Sequence, residues 1–505
     1  MTVSELRRRR GPRRTLARWI GIILAVALAG TGIAVFVIYQ RDASATCMNR
    51  GATIVVHEGA NGECIGVSDG SYDFAPALAP VDRLIAAENK RVLDSGTAYV
   101  SVAYVAAMTI GNTTITSVTN LKHSIEGTYA AQYYANHLNP DGPAPLIRLL
   151  LVNDGSGADE WQPAVRDIIT DVSAQHVVAV TGLGQSLATT KHAAETLSAA
   201  GIPMVGATIS ADDFDNIRGL VRVAAPNKEE AAAAFQYMEQ RLHPKTAMLI
   251  EDVNKADSYA ETLAAQFSAD DTSDRKLRVL HPEAYDTGLP YGVYSNTISQ
   301  MSADICLARP DVILFAGRGR DLVTLIQSMG SRLCSAQPFT IISGDDANQA
   351  VARADLQAAL RSGITVYYTG IANPHEWSGS VPAGVSSGGD ALDAFEKVFT
   401  AAFPGQPLDD GQAMTGYDAA RTAIKAIRLV WPQASATAVS GELSALHGPR
   451  AVPGAGGFLD YYGLYNQGDG SNPVGKAIPI LQIQPAGGIG FVMLTWPGGY
   501  PPPSS

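Results

Sequence analysis

The clearest indication of the fold lies in residues 177–210, which read VVAVTGLGQSLATTKHAAETLSAAGIPMVGATIS. A run of mostly β-branched residues at 177–180 is followed by a glycine-containing loop and by a helical stretch, Leu187 to Ala200. A second short apolar run at 203–205 comes next. Apolar runs on both sides of a helix are typical of buried parallel strands joined by a right-handed crossover. This stretch therefore predicts a β-α-β unit.

The same alternation extends from Ala98 to Leu429 and predicts an α/β fold with doubly wound parallel sheets. The strand-like runs are 99–107, 147–152, 177–180, 203–205, 247–250, 312–315, 339–342 and 365–368. The helical stretches are 124–136, 161–173, 187–200, 228–242, 259–269, 321–330, 389–403 and 416–429. Beyond Leu429 the pattern weakens, and residues 456–464 with 478–483 predict a terminal antiparallel hairpin.

An uncharged run of 21 residues, Trp19 to Tyr39, predicts a transmembrane helix. At 1.5 Å per residue it spans about 30 Å, the thickness of the hydrocarbon core. Residues 1–18 hold seven Arg and one Glu, which predicts a basic cytoplasmic tail and places the chain after Tyr39 outside the cell. A cleaved signal peptide is the alternative, because Ala43-Ser44-Ala45 resembles a cleavage site. The expected location is the cell membrane, crossed once.

All four cysteines follow this run, on the predicted extracellular side, where disulfides persist. Two local pairs, Cys47–Cys64 and Cys306–Cys334, are the simplest of the three possible connectivities. Buried free thiols at 306 and 334 are the alternative. The first pair would staple a connector, residues 40–96, and a proline-containing tail, 497–505, is expected to be disordered.

Several function classes find no support in the sequence. The net charge is −11 despite the basic tail, so the remaining chain is a poor match to nucleic acid. Gly182-x-Gly184 lacks the third glycine of a dinucleotide fingerprint, and no HExxH or CxxC motif is present. We therefore expect no cofactor, no metal and no enzymatic activity.

Small, hydroxyl and charged residues follow several predicted strands. Because ligands bind beyond the carboxyl ends of such strands, these positions are candidates for a binding site. Helix N-termini there suit a carboxylate, an aspartate suits an ammonium group, and an arginine suits an acid. A helix-cap or packing role is the alternative at each position. The candidates are Ser186, Thr208, Ser210, Tyr259, Arg318, Asp345 and Asp346.

The order and spacing of several pieces over residues 97–495 resemble the type I periplasmic binding proteins, the branched-chain amino-acid class that serves ABC importers. The matching pieces are Glu126-Gly127, Ala130-Ala131, 180–186, 201–205, 221–224, Asp257-Ser258-Tyr259, 311–317, Gly344-Asp345-Asp346 and Tyr417-Asp418. The resemblance implies one lobe at 97–224 and 372–448, and a second at 225–371 and 449–496. This chain differs from the class at Arg318, where amino-acid binders often have an aromatic residue.

In that class, a serine and hydroxyl groups after successive strands hold the ligand's α-carboxylate. The resemblance carries these roles onto Ser186, Thr208 and Ser210. It carries a second-lobe tyrosine onto Tyr259, and the acid that holds the α-amino group onto Asp346. The implied function is binding of a small polar ligand, amino-acid-like, for an ABC permease. A sensor or assembly component that signals through a membrane partner is the alternative.

Overall fold

The computed structural model describes residues 47, 49–51, 54–111, 117–138, 141–171, 174–269, 277–350, 354–378, 388–462 and 472–500. Within these ranges the chain forms two α/β lobes, each built on its own sheet. The predicted membrane segment 19–39 lies outside the described residues, as do residues 501–505 of the predicted tail. In the part described, no helix is both long and apolar enough to cross a membrane.

The strands and helices are numbered in chain order. The strands are β1 (Asn49–Gly51), β2 (Ile54–Glu58), β3 (Cys64–Ser68), β4 (Tyr99–Ala106), β5 (Leu146–Asn153), β6 (Val177–Gly182), β7 (Met204–Gly206), β8 (Leu220–Arg222), β9 (Thr246–Asp252), β10 (Arg278–Val279), β11 (Glu283–Tyr285), β12 (Val312–Ala316), β13 (Phe339–Ser343), β14 (Ile364–Thr369), β15 (Val452–Gly454), β16 (Gly457–Leu459), β17 (Ile478–Ile483) and β18 (Ile489–Thr495). The helices are α1 (Ala79–Asp94), α2 (Val118–Leu138), α3 (Trp161–Asp171), α4 (Ala188–Ala199), α5 (Asn227–Tyr237), α6 (Ser258–Ser268), α7 (Tyr291–Ala308), α8 (Gly319–Gly330), α9 (Gln357–Arg361), α10 (Gly389–Ala402), α11 (Gln412–Leu429) and α12 (Ala436–Leu443).

The first sheet has the order β1-β2-β3-β5-β4-β6-β7-β8. Strands β4 to β8 run parallel. The parallel part of the sheet begins at central β4, adds β5 on one side and then β6, β7 and β8 on the other, which is the doubly wound arrangement. Strands β4 and β5 are buried almost throughout, as their continuous apolar runs require.

The second sheet repeats this winding in the order β10-β9-β12-β13-β14-β17-β18, with β11 also paired to β9. Strands β9 to β14 are parallel, whereas β17 and β18 are antiparallel additions. The first sheet is also mixed, since β3 joins β5 antiparallel. The α/β class is therefore confirmed, with mixed rather than purely parallel sheets.

The segment 54–94 belongs to the first lobe. Strands β2 and β3 extend its sheet beyond β5, and α1 buries Val81 and Ile85 in the lobe's core. The sequence predicts a separate connector at 40–96 instead. The added strands cover the edge of β5, and an exposed edge of that kind would pair with other chains.

Two glycines allow the closest helix packing in the first lobe. A Cβ atom on Gly127 of α2 would lie 1.9 Å from the Ala413 carbonyl oxygen of α11. A Cβ atom on Gly416 of α11 would lie 2.1 Å from the Ser124 carbonyl oxygen of α2. Both positions belong to or adjoin the pieces that carry the family resemblance, so part of that resemblance reflects helix contact.

The C-terminal part of the chain divides differently from the sequence expectation. The hairpin β15–β16 packs on the first lobe through Val452 and Leu459, and the Asp418 carboxylate of α11 accepts hydrogen bonds from its turn. The resemblance places 449–496 wholly in the second lobe. The predicted pairing of 456–464 with 478–483 is also wrong, because β17 pairs with β18, a strand that the sequence reading missed.

The two expected disulfides are present. Cys47 bonds to Cys64 at the start of β3, and Cys306 near the end of α7 bonds to Cys334. The first bond ties the chain to the extended edge of the first sheet, and the second lies wholly within the second lobe.

Candidate ligand-binding site

A cavity of about 50 Å³ lies between the lobes, at the carboxyl ends of strands from both sheets. Its polar side chains come from both lobes, so neither lobe encloses it alone. The first lobe supplies Tyr104, Asn120, Ser124, Asp154, Gln185, Thr208, Ser210 and Gln412. The second supplies Tyr259, Arg318, Asp345, Asp346 and Asn348.

The loop after β6 explains the Gly-x-Gly pair in the sequence. Residues Gly182, Leu183 and Gly184 all have positive φ angles, of 87°, 67° and 67°. Glycine adopts this backbone conformation at little cost, whereas a leucine rarely does. A Cβ atom on Gly182 would also lie 2.8 Å from the Tyr104 ring. The glycines therefore serve a tight turn at the cavity, and no dinucleotide fingerprint is needed to explain them.

Two of the predicted hydroxyl residues line the cavity and one lies behind it. Ser186 is buried, and its Oγ accepts hydrogen bonds from the backbone N–H groups of Ser210 (3.0 Å) and Ala211 (3.2 Å). Thr208 lines the cavity, and its Oγ1 donates to the Gly184 carbonyl at 2.9 Å. Ser210 also lines it, with Oγ 3.4 Å from Asp345. Ser186 thus positions the loop that presents Ser210.

Arg318 is buried and its charge is already balanced. Its Nε and one terminal nitrogen bind the Asp257 carboxylate at 2.6 and 2.7 Å, a bidentate pair. The same terminal nitrogen donates to the Ser186 carbonyl across the lobe boundary at 2.9 Å. The guanidinium also lies 4.7 Å from the ring centre of Tyr259. Burial lowers the pKa of Arg318, but the carboxylates of Asp257 and Asp346 outweigh it and raise the pKa.

The Asp346 carboxylate already accepts hydrogen bonds from several protein groups. Its Oδ2 accepts from the Gly319 N–H at the start of α8 at 2.7 Å. Its Oδ1 accepts from Gln349 at 2.6 Å and, across the lobe boundary, from Gln185 at 3.0 Å. The resemblance gives this acid the role of holding a ligand amino group. In the structure its carboxylate caps a helix and joins the lobes, and its role toward a ligand stays a prediction.

The carboxyl group of the neighbouring Asp345 accepts fewer hydrogen bonds. Its backbone N–H donates to Glu230 at 3.0 Å, and its carboxyl group lies beside Ser210 and the Tyr259 hydroxyl. Burial and the adjacent Asp346 carboxylate raise the pKa of Asp345 to about 7. Near neutral pH this group is therefore poised to lose its proton when a cation approaches.

The sequence reading missed Asp154. It follows β5 directly, as the other candidates follow their strands, so the same pattern would have found it. It is 3% exposed, and its Oδ1 has no hydrogen-bond partner among the described residues. Burial raises the pKa of Asp154 to about 7, with smaller contributions from Asp159 and Glu63. Burial also raises the pKa of the nearby Tyr104 hydroxyl to about 12.

Direct hydrogen bonds hold the lobes together around the cavity. Besides the Gln185–Asp346 bond, Asn120 of α2 donates to Asn348 at 3.0 Å, and the Tyr259 N–H donates to the Ser186 carbonyl at 3.2 Å. The lobes are thus in contact on more than one side of the cavity. Among the described residues, no group of three or more His, Cys, Asp or Glu is placed to hold a metal ion.

The family follows from a comparison with known proteins. A family model described as periplasmic binding protein matches residues 112–468, more than half of the chain. The chain belongs to the periplasmic binding protein family. No curated protein sequence matches the chain. The resemblance stated from the sequence is therefore confirmed, and the family and the solved structures below consist of solute-binding proteins rather than enzymes.

Solved structures show the same fold for this periplasmic binding protein. A leucine-binding protein of Thermotoga maritima has 17% identity and a TM-score of 0.57, covering 78% of this chain and 98% of its own. A branched-chain amino-acid binding protein of Streptococcus pneumoniae, in complex with isoleucine, has 16% identity and a TM-score of 0.57, covering 78% and 99%. A solute-binding protein of Rhodopseudomonas palustris, in complex with benzoate, has 14% identity and a TM-score of 0.57, covering 80% and 98%.

Proposed function

We propose that this periplasmic binding protein is held at the cell membrane by residues 19–39 and acts outside the cell. In this proposal the two lobes close on a small polar, amino-acid-like solute and deliver it to an ABC-type importer. The observation that carries the proposal is the polar cavity enclosed between the strand ends of both lobes. Such a cavity forms only when the lobes meet, which couples ligand binding to hinge closure.

Three further observations support the proposal. The solved structures with the same fold include ABC transporter proteins bound to isoleucine and to benzoate. Thr208, Ser210 and Tyr259 line the cavity, which is where the family resemblance expects ligand contacts. The uncharged run 19–39, with its preceding arginines, supports the anchor.

The binding proposal is tested by thermal unfolding of the full chain in detergent with a panel of amino acids, aromatic acids and amines. A solute at 100 times its Kd should stabilise the folded state by about 2.7 kcal/mol and raise the Tm by several degrees. A Thr208→Val, Ser210→Ala double variant should lose this shift while keeping its own ligand-free Tm. If no solute in the panel shifts the Tm, the binding role is contradicted.

The transport role is tested separately by cross-linking in membranes. We expect the full chain to capture an ABC permease when the binding solute is present. Capture of a membrane protein with a cytoplasmic kinase or cyclase domain instead would contradict transport and support a sensing role.

A further inference from the structure

The cavity contains more carboxyl groups than cationic groups. Arg318 is the one cationic side chain among the described residues that line it, and its guanidinium is already paired with Asp257 and close to Asp346. A carboxylate on a ligand would therefore enter a region whose positive charge is fully balanced. It would also approach Asp345 and Asp346 directly, which like charges oppose.

Two buried acids in the cavity, Asp154 and Asp345, form no ion pair among the described residues. Asp154 on the first lobe is 3% exposed and carries a carboxylate oxygen with no hydrogen bond. Asp345 on the second lobe is 7% exposed and lies beside a hydroxyl group, a tyrosine and other acids, while the nearby Arg318 is paired with Asp257. A buried acid without an ion-pair partner is costly, so these two positions suit a ligand that supplies positive charge.

The remaining polar groups fit the same ligand. Tyr104 donates its hydroxyl hydrogen to Ser124 Oγ at 2.9 Å, which leaves lone pairs of both oxygens for a donor. The amide side chains of Asn120 and Gln412 also line the cavity and offer carbonyl oxygens. An ammonium or amidinium group donates in several directions at once, so it can satisfy these acceptors together with a carboxylate.

Resting on the proposed solute-binding function, we propose that the ligand is a small organic cation with net positive charge. Its ammonium or amidinium group binds between the Asp154 carboxylate of the first lobe and the Asp345 carboxylate of the second. Because the two acids belong to different lobes, the cation also draws the lobes together. Neutral zwitterions and free carboxylic acids are then poor ligands at this site.

The test compares solutes that differ in charge at nearly constant shape, using the full chain in detergent and calorimetry. Arginine is compared with citrulline, and 1,4-diaminobutane with 4-aminobutanoate. We expect each cation to bind at least about tenfold more tightly than its partner, since a hydrogen bond to a charged group is worth that much. Tighter binding of citrulline or 4-aminobutanoate, or no binding by either cation, would overturn the inference.

Substitutions of the two acids test whether they bind the cation. Asp154→Asn and Asp345→Asn should each weaken binding of the cation by about tenfold or more. The matched control is Asp393→Asn, the same chemical change on the exposed face of α10, which should leave affinity unchanged. If both cavity variants bind the cation as tightly as the parent chain, the assignment of these acids is wrong.

The pH dependence gives a readout that a purely structural role would not move. Between pH 6 and pH 8 the affinity for a cation should rise several-fold, because the two carboxyl groups lose protons over that range while an alkylammonium keeps its own. The charged and titratable neighbours are Asp159, Glu63 and Tyr104 for Asp154, and Asp346, Glu230, Arg318 and Tyr259 for Asp345. A pH-independent affinity would contradict the proposal.

The outcomes separate this inference from the binding function itself. Preferred binding of leucine, citrulline or benzoate would overturn the cationic ligand and leave the solute-binding function intact. Failure of every solute in the wider panel would contradict both.

Discussion

The acids at the Arg318 network of the second lobe and Asp154 on the first-lobe wall are buried to a similar degree but are paired differently. On the second lobe, Asp346 at the cavity and Asp257 behind it are held by Arg318 and by backbone N–H groups. On the first-lobe wall, Asp154 has a carboxylate oxygen without any partner among the described residues. The comparison teaches that burial alone does not make a candidate ligand contact. The useful signal is a buried polar group that the protein leaves unsatisfied.

The contrast has an energetic meaning. A buried ion pair with complete hydrogen bonding is costly to break but fixes the positions of the groups that it joins. An unpaired buried acid lowers stability until a partner arrives. The Arg318 network of the second lobe therefore supplies rigidity, and the acids outside it, Asp154 and Asp345, supply affinity.

Replacing Arg318, the cationic side chain of the second-lobe wall, should cause the largest loss of stability. Arg318→Met leaves Asp257 and Asp346 buried without their partner, so we expect the free energy of unfolding to fall by about 3–5 kcal/mol. The control is Arg450→Met, which breaks an ion pair whose arginine is 56% exposed and should cost at most about 1 kcal/mol. Urea denaturation measures both. Equal losses would show that the buried network has no special role.

The same substitution on the two walls should change stability in opposite directions. Asp257→Asn breaks the pair with Arg318 and should cost about 3 kcal/mol. The folded-state pKa of Asp154 is about 7, above its value in the unfolded chain. The proton is therefore held in both states below about pH 4, and stability falls as the pH rises toward 7.

Asp154→Asn should consequently stabilise the protein by about 1–3 kcal/mol at pH 8 and by almost nothing near pH 4. Urea melts at the two pH values measure this difference, with Asp257→Asn measured alongside. A loss of stability in Asp154→Asn at pH 8 would remove the contrast between the walls.

The smallest expected effect concerns the bond that joins the walls. Gln185 on the first lobe donates to Asp346 on the second, so Gln185→Ala should weaken the closed arrangement by about 1 kcal/mol. Affinity for the tightest-binding solute should fall about fivefold, with little change in the urea midpoint. Gln327→Ala removes a comparable bond to Asp355 on the exposed face of α8 and is the control. Equal affinities for the two variants would exclude the closure role.

Much of the fold could be predicted because the strands of both lobes are short, apolar and regularly separated by helices. The positions of Thr208, Ser210, Tyr259, Arg318 and Asp346 at the cavity were predicted for the same reason, since each lies near a strand end. Whether these residues bind a ligand stays a prediction. The hydrogen bonds and ion pairs that each of these side chains makes were not predictable, because the partners lie far along the chain.

Arg318 illustrates this limit. Its main partner, Asp257, lies 61 residues earlier, and the bond partner of Asp346 on the other lobe is 161 residues away. Local sequence patterns carry no information on such pairs. The sheet additions were missed for a related reason: β3 and β17 join their sheets antiparallel, which no β-α-β pattern predicts.

The Cys47–Cys64 bond has a consequence for how the molecule sits at a surface. With residues 19–39 in the bilayer, as proposed, only seven residues separate the anchor from Cys47. Even fully extended, that tether reaches no farther than about 30 Å. Because the bond links this segment to β3, the first lobe would be held close to the lipid headgroups. Hinge closure would then move only the second lobe relative to the membrane. A transmembrane partner would distinguish the ligand-bound protein by the position of that lobe.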